Sequence, residues 1–234
     1  MTTFVYETPD ELASATADRL AAALASAQAE RGTASVVLTG GRTGIAVLTA
    51  LRSATLDWSS LDVYWGDERF LPAGDPERNE TQARAALLDH VPVAPGRVHP
   101  MAPSDGEYGD DPDAAAEAYA VLLKDVASFD VCLLGVGEEG HTASLFPGSP
   151  GVQETSRAVV AVRDCPKPPP TRVSLTLPTI RRATDVWLMT TGDAKAEPVA
   201  AALAGANEED LPAAGARGKR DTLWILDRAA AARL

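Results

Sequence analysis

Apolar and polar positions along the chain follow two rhythms. Short apolar or β-branched runs read as buried strands at Ser35–Thr39, Leu61–Trp65, Phe129–Leu134, Ala158–Val162, Asp185–Thr190 and Thr222–Leu226. Between most of them lie stretches with helical spacing at Thr43–Arg52, Glu77–Asp89, Asp113–Ala127 and Asp193–Leu203, and another closes the chain at Arg228–Leu234. The first helix is the best marked. Thr8-Pro9-Asp10-Glu11 supplies a capping hydroxyl, Pro at the first helical position and a carboxylate three residues after the cap. The Ala/Leu-rich run that follows extends to Glu30, with apolar Leu12, Leu20 and Leu24, and Gly32 stops it. Continuous apolar strands alternating with helices predict an α/β fold with a mostly parallel sheet covered on both faces. Pro92–Pro112 reads as a long surface loop and Cys165–Thr171 (CPKPPPT) as a stiff extended one. The alternation continues across both, so residues 1–234 read as a single domain.

The polar residues gather after the strands. Thr39-Gly40-Gly41-Arg42-Thr43-Gly44 follows the first, Gly66-Asp67-Glu68-Arg69 the second, Gly135 to His141 the third, and Thr191-Gly192-Asp193-Ala194-Lys195 a later one. In a parallel sheet these loops share the carboxyl-terminal edge, where open α/β sheets bind ligands. Backbone N–H groups, the hydroxyls of Thr39 and Thr43 and a helix N-terminus make the first loop suited to an anion such as phosphate. The same loop would also serve as an ordinary tight strand-to-helix turn. It is not a P-loop, because no Lys follows its last Gly.

Gly135-Val136-Gly137-Glu138-Glu139-Gly140 matches a dinucleotide-binding pattern only in letters. Pro147, Gly148, Pro150 and Gly151 break the chain within about two turns, too soon for the helix of such a fold, and two carboxylates would face a pyrophosphate. His141 remains, predicted at the start of a short helix. Its imidazole titrates near neutrality, and a helix N-terminus would keep it neutral and available as a general base for water. Glu139, Glu138 or Asp67 is placed to orient its other nitrogen. His90 and His99 read as structural or solvated, and Trp58, Trp65, Trp187 and Trp224 as core.

Charge narrows the function classes. Lys and Arg number 21 against 33 Asp and Glu, a net charge of -12, which argues against a general nucleic-acid binder yet leaves room for a small phosphorylated ligand. No apolar run approaches the ~20 residues that span a bilayer. The N-terminal MTTFVYETPDE lacks the basic and apolar regions of an export signal, so the expected compartment is the cytoplasm. Cys132 and Cys165 form neither a disulfide framework nor a metal-ligand pattern, and read as small buried residues in a reducing environment.

Together these motifs resemble the 6-phosphogluconolactonase family nearly end to end. The family's Ser-Gly-Gly-x-Thr-Pro loop corresponds to Thr39–Gly44, with Thr for Ser and Gly for Pro. Its Asp-Glu-Arg turn, following Pro and downstream Asn correspond to Asp67-Glu68-Arg69, Pro72 and Asn79. Its Gly-x-Gly-x-Asp-Gly-His-x-Ala-Ser-Leu-Phe-Pro stretch corresponds to Gly135–Pro147, with Glu139 in place of the usual Asp. Arg172-Val173-Ser174-Leu175-Thr176 and Gly192-Asp193-Ala194-Lys195-Ala196 match two shorter pieces.

The resemblance implies a three-layer Rossmann-like sandwich shared with sugar-phosphate isomerases and deaminases. It also implies cofactor-free, metal-free hydrolysis of 6-phospho-D-glucono-1,5-lactone. His141 would activate water, with Asp67 and Glu139 as further catalytic residues. Gly40, Gly41, Arg42, Thr43, Arg69, Arg172 and Lys195 would hold the substrate and its phosphate. Functional coupling to glucose-6-phosphate dehydrogenase, the source of the lactone, is left open. Two alternatives stand beside it. A glucosamine-6-phosphate deaminase would carry Ile-Ala-Phe-Asn-Glu-Pro after its His, where this chain has Thr142-Ala143-Ser144-Leu145-Phe146-Pro147 and no Glu. A non-catalytic sugar-phosphate sensor would have no need of His141.

Overall fold

The computed structural model describes all residues from Met1 to Leu234. Its centre is a six-stranded sheet in which every pairing is parallel: β1 (Thr2–Tyr6), β9 (Asp221–Asp227), β8 (Asp185–Thr190), β5 (Val131–Gly135), β2 (Ala34–Leu38) and β3 (Leu61–Trp65), in that spatial order. Alternate residues of each strand enter different cores. Val36, Leu38, Val131, Leu133 and Trp187 pack on one face, beneath α1 (Pro9–Arg31), α2 (Gly41–Leu51) and α3 (Asn79–Ala86). Val37, Cys132, Leu134, Val186 and Trp224 pack on the other.

Helix α1 begins and ends where its signals predict. The Thr8 hydroxyl accepts from Glu11 N at 3.1 Å, the Glu11 carboxylate accepts from Glu7 N at 3.1 Å, and Gly32 takes the left-handed conformation at φ 78°. All four tryptophans and both cysteines are buried, the cysteines unpaired. No helix is long and apolar enough to cross a membrane.

Three expectations need correction. The run at Ala158–Val162 does not join the parallel sheet. No crossover helix precedes it, and β6 (Val159–Val162) instead pairs antiparallel with β7 (Arg172–Leu175), which pairs antiparallel with β4 (Asp67–Arg69). This small sheet and α4 (Pro112–Leu122) help cover the second face, joined by the short α5 (Leu177–Ile180), α6 (Ala196–Leu203) and the single turn α7 (Pro212–Gly215). The second correction is at the end of the chain. Residues 228–233 form turns rather than a helix, with the Asp227 carboxylate accepting from Ala230 N at 2.7 Å. The third concerns the segment after His141, which forms turns and no helix. The Thr142 hydroxyl donates to Gly135 O at 2.8 Å and Gly137 N to His141 O at 2.8 Å, folding the loop back on itself before Pro147 and Gly148.

Candidate active site

The loops after β2, β3, β5 and β8 converge as the parallel topology requires. They enclose a cleft of about 270 Å³ lined by Gly40, Gly41, Arg42, Thr43, Asp67, Arg69, His141, Arg172 and Lys195, nine of the ten residues singled out from the sequence. Glu139, the tenth, lies behind His141. Five cations line the cleft (Arg42, Arg69, Lys167, Arg172 and Lys195) against one carboxylate, Asp67, in a chain of net charge -12. Low-dielectric walls focus such a local field, which favours an anionic ligand.

Each loop is held by specific contacts. Gly40 caps α2 without a side-chain hydrogen bond, so the N–H groups of the first turn are open to the cleft. A Cβ at Gly40 would lie 2.0 Å from Asn79 Oδ1, so any larger residue would displace the side chain that orients Asp67. A Cβ at Gly44 would meet Thr39 O at 2.7 Å; Thr43 Oγ1 lies 3.0 Å from Thr191 Oγ1, joining the first loop to the last. Lys195 follows β8 on a tight turn and pairs with Glu138 at 3.3 Å.

Asp67 is 6 % exposed and oriented from two sides. Ser144 Oγ donates to its Oδ2 at 2.6 Å, while Asn79 Nδ2 donates to its main-chain carbonyl at 2.8 Å and lies 3.4 Å from Oδ1. Its neighbour Glu68 points away from the cleft, accepting from Asn79 N and Glu80 N at the start of α3 at 2.7 and 2.8 Å. Arg69 Nη1 donates to Glu77 O at 2.5 Å and leaves a buried Nε without a partner. Arg172 is largely engaged by the 165–171 loop: Nε donates to Pro169 O at 3.1 Å and Nη2 to Lys167 O at 3.1 Å.

The His141 ring rests on Gly137, where a Cβ would lie 1.9 Å from Nδ1, and stacks at a 30° tilt on Phe146 with centroids 4.5 Å apart. Glu139 Oε1 lies 3.1 Å from Nδ1 but off the line of its N–H, a Coulombic contact rather than an aligned hydrogen bond. Nδ1 is thereby buried against Gly137 and Glu139. Desolvation pushes the imidazole below its ordinary value, Glu139 and Asp67 pull it upward, and Lys167 pushes it down. The net direction is that expected from the sequence, but burial causes it and no helix dipole is involved.

Lys167 is the cleft cation that sequence reasoning missed. It lay inside the Pro-rich run, whose only legible property was stiffness. Ser144 and Asn79 were visible as motif letters, but nothing in their spacing disclosed the grip on Asp67.

A profile described as glucosamine-6-phosphate isomerases/6-phosphogluconolactonase matches residues 7–224. The chain belongs to this family. Among its relatives is a 6-phosphogluconolactonase of Streptomyces coelicolor, 57 % identical over 243 residues and covering 98 % of this chain and 93 % of that one. The solved 6-phosphogluconolactonase of Trypanosoma cruzi superposes with a TM-score of 0.88 at 27 % identity, covering 100 % of this chain and 96 % of that one. A monomeric glucosamine-6-phosphate deaminase superposes with a TM-score of 0.84 at 23 % identity over 100 % of both chains. That last likeness is one of fold alone. Within the family, the side chains of the cleft must therefore decide between hydrolysis and deamination.

Proposed function

We propose that this protein hydrolyses 6-phospho-D-glucono-1,5-lactone to 6-phosphogluconate. The observation that carries the reading is a desolvated imidazole, held below its ordinary pKa, in a cleft lined with cations. The first property keeps a base unprotonated at neutral pH; the second anchors a phosphate remote from the reacting carbon. His141 takes a proton from water through Nε2 as the oxygen attacks the lactone carbonyl. The negative charge passes to the carbonyl oxygen, and its return breaks the bond between C1 and the ring oxygen. The imidazolium gives its proton to that departing oxygen, leaving a free acid that ionises. Asp67, fixed by Ser144 and Asn79, is an acceptor for a sugar hydroxyl.

For the phosphate, the open N–H groups of the Gly40–Thr43 loop, Arg42 and Lys195 are the strongest candidates, with Arg69 beside them. Arg172 has most of its donors occupied by the neighbouring loop, so its part is chiefly to build the wall. Deamination is less well supported. The hydroxyls of Thr142 and Ser144 bond to Gly135 O and Asp67, and residues 142–147 bring no carboxylate to the histidine. Two buried, unpaired cysteines are compatible with a cytoplasmic setting.

The test is to generate the lactone in place from glucose 6-phosphate and compare its loss with that in a protein-free blank. Acceleration supports the reading. Ammonia release from glucosamine 6-phosphate, or tight phosphosugar binding with no turnover, overturns it. Lys195→Ala is expected to raise KM by about 10- to 100-fold, with kcat changed less, as befits the loss of a charge-assisted bond. An unchanged KM removes Lys195 from the phosphate site. Gly137→Ala is expected to lower kcat by roughly a hundredfold while leaving the circular-dichroism spectrum intact, because the new methyl group displaces the imidazole.

A further inference from the structure

A chain of contacts leads from the Pro-rich loop to the imidazole. Lys167 Nζ lies 3.0 Å from Glu139 Oε2, and Glu139 Oε1 lies 3.1 Å from His141 Nδ1. One carboxylate therefore touches both nitrogens, one with each oxygen. Burial deepens along the chain, from a lysine side chain 41 % exposed through a glutamate at 33 % to the histidine at 17 %. The lysine is not placed by its own flexible stem alone. Its carbonyl accepts from Arg172 Nη2 at 3.1 Å and from Cys165 Sγ at 2.8 Å, and Arg172 is itself buried. The main chain that carries Lys167 is thus fixed to β7.

Glu139 lies off the line of the Nδ1 N–H, so its contact with the ring is not what holds it; its own backbone amide and Lys167 fix the carboxylate. We propose that Lys167 is a positioning residue for the base, sharing the Glu139 carboxylate with His141 Nδ1 and so setting the pH range over which His141 is neutral.

The groups facing the ring are few. Glu139 comes from its own loop, Lys167 from the 165–171 loop, Asp67 from β4 and the uncharged Phe146 from the following turn, with the Arg172 guanidinium beyond at 6.0 Å from the Phe146 centroid. Lys167 acts on the ring in two ways of the same sign. Its charge repels an imidazolium directly, and it draws on the carboxylate that would otherwise stabilise one. Burial alone would raise Glu139, but a backbone amide, Lys167 and His141 hold it below its usual value, so the bridge is anionic. Loss of Lys167 should make the ring bind its proton more tightly. Loss of the Glu139 charge should do the opposite.

The proposal rests on the lactonase reading only for its kinetic consequence, so its test begins without substrate. The ring of His141 is titrated by NMR in the ligand-free protein, its resonance identified by its absence in His141→Ala. Lys167→Met is expected to move the midpoint up by about 0.5–1 unit and Glu139→Gln to move it down by a similar amount, modest shifts for partly exposed partners. Lys167→Arg, which keeps the charge, should titrate near wild type. In pH profiles of kcat/KM the acid limb should follow these midpoints, so that Lys167→Met loses more activity at pH 6 than at pH 8.

A midpoint unmoved in Lys167→Met overturns the proposal. If KM then rises equally at all pH values, Lys167 is a substrate ligand and nothing more. Opposite shifts in the two variants support the contact chain even if the wild type fails to hydrolyse the lactone, a failure that would fall on the function instead.

Discussion

His141→Ala is expected to lower kcat for the lactone by about two to four orders of magnitude, the range typical for loss of a general base. Affinity for 6-phosphogluconate, measured by calorimetry, should stay within a few-fold of wild type. The split follows from the geometry. The ring is held by Gly137, Phe146 and Glu139, none of which is among the cations that line the cleft, so removing it leaves the anion-binding groups in place. An equal loss of turnover and binding would show that His141 holds substrate rather than activating water. Because burial holds the imidazole below 6.5, wild-type activity should fall only as pH drops through that lower value, when the base becomes protonated. Above it the histidine is neutral and its contribution is constant.

The second large effect lies outside the cleft. Arg78 has no exposed surface, and its guanidinium donates to Met101 O at 2.8 Å and Leu71 O at 3.2 Å while lying 3.1 Å from Glu80 and 3.7 Å from Glu68. Arg78→Ala should destabilise the fold by about 3–5 kcal/mol, the cost of leaving a buried charge without its partner. For a chain of this length that lowers Tm by roughly 6–20 °C. The loss depends on pH in a definite sense. Burial pushes the Glu68 carboxyl up to about 7, against the pull of Arg78 and the amides of Glu80, Asn79 and Arg69. Without Arg78 the carboxyl rises further. At pH 5.5 it is protonated in both proteins and the gap is better tolerated; at pH 8 the variant must either bury an uncompensated anion or hold the carboxyl protonated against the solution. The destabilisation, read by urea unfolding, should therefore be larger at pH 8. Adding Glu68→Gln should recover part of it at pH 8 and little at pH 5.5.

Much of this molecule could be read before its structure. The strand–helix alternation disclosed five of the six parallel strands, and their carboxyl ends disclosed the cleft, because topology forces those loops onto one edge. What escaped had physical reasons. Strand β1 lies at the sheet edge with exposed and half-buried residues, and its only partner, β9, comes from the opposite end of the sequence. Strands β4 and β7 have three and four residues, too few for a period to register. The apolar run of β6 is equally suited to either kind of sheet, so its letters could not reveal an antiparallel partner. Lys167 and Ser144 matter through contacts made across the fold, and no local pattern encodes those.

The hydroxyl contact between Thr43 and Thr191 and that between Ser144 and Asp67 join positions 148 and 77 residues apart. A cleft assembled in this way has no local precursor. Hairpins and short helical pairs can form while the rest of the chain is still unravelled, but parallel neighbours must wait for distant segments to meet. The first and last loops become neighbours only after β2, β5 and β8 have zipped side by side. During synthesis the cleft therefore has to await nearly the last fifth of the polypeptide, and a partly folded molecule is empty of function even where most of its secondary structure is already in place.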